Sequence, residues 1–83
     1  MNNTKLIFYD YIELYEIFSE LKQFLKFELS NIQNKENLNI EVKKFDNYLI
    51  ISKKIHPNFD NQLVINLLPL PIIKIIDKIN IEI

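Results

Sequence analysis

Not one glycine occurs in these 83 residues, and that absence limits the fold more than any residue present. Glycine is the ordinary occupant of left-handed backbone positions, so every such turn must be made here by Asn or Asp. Both glycine-dependent nucleotide motifs are excluded as well, because each needs a backbone without Cβ to approach the phosphates. Ala, Arg, Cys and Trp are also missing while Ile, Asn and Lys abound, the skew expected of a very AT-rich genome.

The remaining composition is that of a globular chain, 48% hydrophobic and 25% charged, which argues against disorder. Residues 1–83 are read as a single domain, near the lower end of what folds without disulfides or metals. Lack of Cys excludes disulfides and thiolate metal sites. A net charge of -1, with every basic residue a Lys, gives no electrostatic case for nucleic acid or anionic membrane. No secretory leader pattern is visible after Met1. The most apolar stretch, Leu63 to Ile76, is interrupted by Asn66, two prolines and Lys74, and is shorter than the roughly 20 residues of a spanning helix. The expectation is a soluble, cytoplasmic protein.

Lys5-Leu6-Ile7-Phe8-Tyr9-Asp10 reads as a strand that ends on an acid and runs directly into a helical pattern. That unit opens doubly wound sheets, which bind ligands at the carboxyl ends of their strands. Tyr11, Leu14, Tyr15, Phe18, Leu21 and Leu25 recur at three- and four-residue steps and predict a helix over about 11–26. Asp10 is expected at its N-cap, with Glu13 completing an acidic capping box. A short strand is expected near 27–32 and a polar turn at Asn34-Lys35-Glu36-Asn37. Leu38, Ile40, Val42 and Phe45 fit an edge strand, with a short helix as the alternative; the strand would make a hairpin with 48–52 through Phe45-Asp46-Asn47-Tyr48. Tyr48-Leu49-Ile50-Ile51-Ser52 is a continuous apolar run, the mark of a strand buried on both faces. A loop through His56-Pro57, a strand over 62–67 and a helix seeded by Pro71 with Ile72, Ile75, Ile76, Ile79 and Ile83 on one face complete the chain. Alternation in Ile79-Asn80-Ile81-Glu82-Ile83 weakens the helix there. The fold class is therefore α/β, a small truncated flavodoxin-like or receiver-like sheet of three or four mostly parallel strands with two main helices.

The strand ends look chemically empty. Asp10 reads either as a helix cap or as one metal ligand. Ser52 as a nucleophile needs a base in reach, and the lone His56 sits in a proline-bordered loop with no evident acidic partner. Tyr9, Tyr11, Tyr15, Phe18, Phe24 and Phe27 could stack bases, although at helical spacing they suit a core. Lys43-Lys44 and Lys53-Lys54 could touch phosphate or guard an exposed sheet edge.

The order of these elements resembles a response-regulator receiver domain. The segment from Lys5 to Leu14 is similar to the receiver's first strand, acidic cluster and first helix; Asn47 to Ser52 is similar to its central strand; Leu67-Leu68-Pro69-Leu70 resembles the Lys-Pro-Phe turn before its last helix. The Ile-, Lys- and Asn-rich style is like the receiver-like domains that precede OmpR/PhoB-type winged helices in AT-rich bacteria. A receiver has about five strand–helix units, and this chain has room for about three. The resemblance implies degenerate receiver positions at Asp10, Ser52, Leu68 and Pro69: Asp10 matches one metal-binding acid, Ser52 stands where the phosphoacceptor Asp would be, and Leu68 stands where the Lys would be. Phosphoryl transfer to a carboxylate needs a divalent cation held by carboxylates and a Lys on the phosphoryl oxygens, so the implied domain is a pseudo-receiver without catalysis, metal or cofactor.

The expected function is thus a phosphorylation-independent regulatory and dimerisation domain of a two-component transcriptional response regulator, touching DNA only through a winged-helix part beyond Ile83. The alternative is a stand-alone interaction protein, such as a phage-encoded inhibitor or an immunity protein; a small hydrolase using Ser52 and His56 is a weaker third. So many apolar residues in so small a body predict a homodimer or protein partner through Ile72, Ile73, Ile76 and Ile79.

Overall fold

A computed structural model describes residues 4–25, 27–66 and 71–82. Its elements in chain order are β1 (Lys5–Tyr9), α1 (Ile12–Glu20), a 3-10 turn (Lys22–Phe24), β2 (Glu28–Ile32), α2 (Lys35–Val42), β3 (Tyr48–Ser52), β4 (Gln62–Val64) and α3 (Ile72–Glu82). The four strands form one sheet in the order β2-β1-β3-β4, with every neighbouring pair parallel. That is the order of flavodoxin-like doubly wound sheets with the fifth strand left off. The expected α/β class holds, and the sheet has four strands and three helices.

The side chains of β1 and β3 alternate between two buried surfaces, which is why both read as unbroken apolar runs. Leu6, Phe8, Leu49 and Ile51 meet Leu14 and Phe18 of α1 and Ile75 and Ile79 of α3 in one core cluster. Phe8 anchors it, its ring 5.2 Å from that of Phe18 and 5.8 Å from that of Tyr15. On the opposite surface Ile7 and Ile50 meet Leu38 of α2, with Tyr9, Ile32, Val42, Tyr48 and Phe59 packed around them. Lys5, at the start of β1, lies on this second surface and reaches Glu28 at 3.7 Å, Glu41 of α2 at 3.9 Å and the Phe45 ring at 4.8 Å. Ser30 donates to the same Glu41 carboxylate at 2.7 Å.

The largest correction concerns residues 38–45, which are not an edge strand. Residues 35–42 are α2, and the Asn34 side chain caps it by accepting the Asn37 backbone N–H at 2.8 Å. The physical reason is the sheet itself: β2 and β3 lie parallel on either side of β1, and a parallel connection has to cross a face of the sheet, usually as a helix. Consequently Phe45-Asp46-Asn47 does not close a hairpin. It delivers the chain to β3, and the Asn47 carbonyl accepts the Lys5 backbone N–H at 3.0 Å, at the start of the β1–β3 ladder. Residues 79–82 continue α3 and are not strand.

The connection from β3 to β4, residues 53–61, crosses without a helix and is shorter than the dozen or so residues usual for such a crossover. It turns through two left-handed residues, Asn58 (φ 75) and Asn61 (φ 56), and drops Phe59 against the second core surface. The third left-handed residue among those described is Asp10 (φ 51). All three are Asn or Asp, as a chain without glycine requires.

Candidate functional site

At a switch point, consecutive crossovers leave a sheet in opposite directions, and here it falls between β1 and β3. Tyr9 ends β1 and Asp10 follows it, while Lys53, Lys54 and His56 follow β3; together these five residues line a cavity of about 250 Å³. The site that the sheet order selects is therefore lined by an acid, two lysines, a histidine and a tyrosine. Parallel pairing of Phe8 with Ile51 is what brings the two ends side by side.

Asp10 does not cap α1. The N-cap is Tyr11, which makes no side-chain capping hydrogen bond, and the left-handed turn at Asp10 leaves its side chain exposed at the cavity. The acid that serves the helix start is Glu13. A hydrogen bond from its own backbone N–H and then the Lys53 ammonium, 3.1 Å away, hold its carboxyl below the usual carboxylate range. The Lys53 ammonium also lies 5.2 Å from the centre of the Tyr11 ring. Tyr11 is buried and donates its hydroxyl to the Ile65 carbonyl at 2.7 Å, tying the start of α1 to the exit of β4. Burial raises its pKa above the ordinary phenol value, with the Lys53 charge opposing the rise.

Ser52 is 0% exposed, and its hydroxyl donates to the Lys54 carbonyl at 2.7 Å. Its own carbonyl accepts the Ile65 backbone N–H at 3.0 Å. The Ser52 proton thus shapes the exit of β3, and a Ser52–His56 nucleophilic pair does not form. His56 is held by its backbone. The Gln62 side chain accepts its N–H at 2.9 Å and donates at 2.8 Å both to its carbonyl and to that of Phe59. The imidazole stands edge-on to the Tyr9 ring, centroids 4.7 Å apart. Desolvation, followed by the Lys54 charge, lowers its pKa; Asp10 opposes this and Lys35, at the start of α2, adds to it. The acidic neighbour that His56 lacks in sequence is therefore Asp10 in space.

Of the receiver-like positions, Asp10 and Ser52 lie at the carboxyl ends of adjacent strands, while Leu68 and Pro69 fall outside the described residues. Among the described residues no group of three or more His, Asp and Glu gathers to hold a metal. Lys43 and Lys44 follow a helix and guard no strand; Lys44 pairs with Glu41 at 3.7 Å. The aromatic residues Tyr11 and Phe18 are core, with Tyr15 and Phe27 packed against them, so they offer no stacking platform. Ile79 is 0% exposed within its own chain and cannot belong to an interface; Ile72 and Ile76 pack half-buried on the same core, and only Ile73 of the expected interface set stays out, 62% exposed. No described helix is long and apolar enough to cross a membrane.

The fold and site define a small doubly wound α/β domain with a mixed-charge cavity at its switch point. No protein-family model, curated protein or solved structure matches the chain.

Proposed function

We propose that the chain is a phosphorylation-independent regulatory module of receiver-like build, working in the cytoplasm through contacts with protein and without catalysis of its own. The observation that carries this reading is Ser52. At the end of β3, where a receiver presents its phosphoacceptor, stands a fully buried hydroxyl already committed to the Lys54 carbonyl. The sheet order β2-β1-β3-β4 supports the same reading, since it is the flavodoxin-like order without its last strand.

The proposed protein contact is made by the outward row of α3, where Ile73 and Ile81 are 62% and 81% exposed, and a second copy of the chain is the proposed partner. In this reading the DNA contact of a response regulator belongs to a winged-helix part outside these residues. Incubation with magnesium and acetyl phosphate is expected to leave the intact mass unchanged, and a covalent phosphoryl adduct overturns the reading. Sedimentation equilibrium at high micromolar concentration is expected to show a dimer that Ile73→Asp returns to a folded monomer. A wild-type monomer at that concentration removes the proposed partner.

A further inference from the structure

The switch-point cavity gathers charged and aromatic residues from the ends of two adjacent strands. Lys53 and Lys54 approach from the end of β3, against the single carboxylate of Asp10 from the end of β1. Lys35 stands at the first residue of α2, which begins three residues beyond Ile32, the last residue of β2, and so starts at the same edge of the sheet. Tyr9 and His56 supply an aromatic wall with one ring edge-on to the other. The Gln62 amide braces this wall, accepting the His56 backbone N–H and donating to the His56 and Phe59 carbonyls. The lining carries two lysines against one aspartate, with the Lys53 ammonium paired to Glu13 3.1 Å away, in a molecule whose net charge is -1. The volume, about 250 Å³, falls just below the range of about 300–1,000 Å³ typical of pockets for drug-sized ligands, so the occupant is compact.

We propose that this cavity binds a small phosphate monoester or free phosphate directly, without a metal, with Lys54 and Lys53 as its cationic contacts and His56 as a third donor. The proposal goes beyond the regulatory reading and does not need it: covalent phosphorylation tests that reading, whereas reversible binding tests this one. Lys54 is the principal contact, since Lys53 already shares its charge with Glu13. His56 is predominantly neutral at neutral pH, because burial and the charges of Lys54 and Lys35 disfavour the imidazolium while Asp10 favours it. An anion between these groups reverses the balance. Phosphate therefore raises the His56 pKa. Asp10 opposes the ligand by its charge, and Asn tolerates the same left-handed backbone.

The test follows the lone histidine by proton NMR while inorganic phosphate is added in the presence of EDTA. The expected result is a saturable shift of the His56 ring signals, weakened about tenfold or more by Lys54→Ala. Lys78→Ala, on the exposed side of α3, is expected to leave binding unchanged, and Asp10→Asn is expected to tighten it. No saturable shift, an equal loss in Lys78→Ala, or weaker binding in Asp10→Asn overturns the proposal; the last would indicate an anion held through a cation on Asp10. A second titration with adenosine monophosphate separates the two sources of the ligand. Tighter binding than inorganic phosphate assigns the site to an organic phosphate that uses the Tyr9–His56 wall, and equal or weaker binding assigns it to free phosphate.

Discussion

The two surfaces of the sheet are made from the same two central strands and have been finished in opposite ways. On the side of α1 and α3, ten buried side chains among the described residues form one continuous apolar cluster. On the side of α2, the buried hydrophobic cluster among the described residues is Ile7, Leu38 and Ile50 alone, ringed by half-exposed neighbours and by the polar group Lys5, Glu41 and Ser30. One surface carries two helices; the other carries one short helix and the tip of a loop. The difference teaches where stability and adaptability reside. Local opening is expected first where few apolar contacts hold an element, so α2 and the 53–61 crossover form the softer half. The switch-point cavity belongs to that half, because its Tyr9 wall and the Phe59 plug of its loop pack on the thin surface.

The contrast is sharpest under truncation. Phe18→Ala on the thick surface is expected to cost about 3–5 kcal/mol, a large share of the stability of so small a domain. Leu38→Ala is expected near the low end of the range for such changes, about 2 kcal/mol, because its half-exposed surroundings can relax into the space. Urea denaturation of both variants decides the matter. Equal losses would show the two surfaces to be energetically alike and break the comparison.

Next comes the tie that holds the thick surface to the strand edge. Tyr11→Phe removes the only donor that Tyr11 offers to the Ile65 carbonyl and is expected to cost about 1–3 kcal/mol. The same residue has a sign in pH. Its pKa is raised in the folded state, so its contribution is complete below the ordinary phenol pKa near 10.0 and is lost as pH rises through the folded value. Alkaline denaturation midpoints should fall in the wild type across that window and fall less in Tyr11→Phe. Identical alkaline profiles would place the alkaline loss elsewhere.

On the thin surface the comparable device is a cap. Asn34→Ala is expected to cost about 1 kcal/mol, read by denaturation, with amide exchange accelerated first in α2. Acceleration spread evenly over α1 and α3 would mean that α2 does not open by itself, and the two halves would then be one cooperative unit.

The same asymmetry explains what could be read from the residues alone. β1 and β3 were legible because burial on both faces leaves them no polar alternation, and α1 because Leu14 and Phe18 face a thick core at helical spacing. α2 was not, since its one buried residue is Leu38, Ile40 is 55% exposed, and the apolar positions 38, 40 and 42 mimic the period of a strand. Leu38 with Val42 at a four-residue step, and Asn34 three residues before Asn37, were the signals that favoured a helix. The cavity was hidden for another reason. Residues 9–10 and 53–56 are remote in sequence, and only the strand order places them together. The acid after the first strand therefore pointed to the right edge of the sheet while saying nothing of which neighbours would share it. Asp10 was misassigned because a cap and a left-handed turn favour the same residue types.

The smallest expected effects lie at acid pH and distinguish the cavity side from the helix start. The folded-state pKa of His56 is depressed, so its contribution is complete above 6.5 and is lost as pH falls through the folded value. Glu13 is depressed too, and its contribution is complete above 4.5 and disappears only at lower pH. The two losses should therefore separate on the pH axis. His56→Gln is expected to flatten the first part of the acid limb while leaving the second, and Glu13→Gln is expected to do the reverse with the weaker effect, since that carboxylate is bathed in solvent and its pairing with Lys53 is screened by salt. Denaturation midpoints measured across the acid range at low and high salt read both. If His56→Gln leaves the upper part of the limb unchanged, the imidazole is not desolvated in the folded protein, and the thin surface is open to water as far as Tyr9.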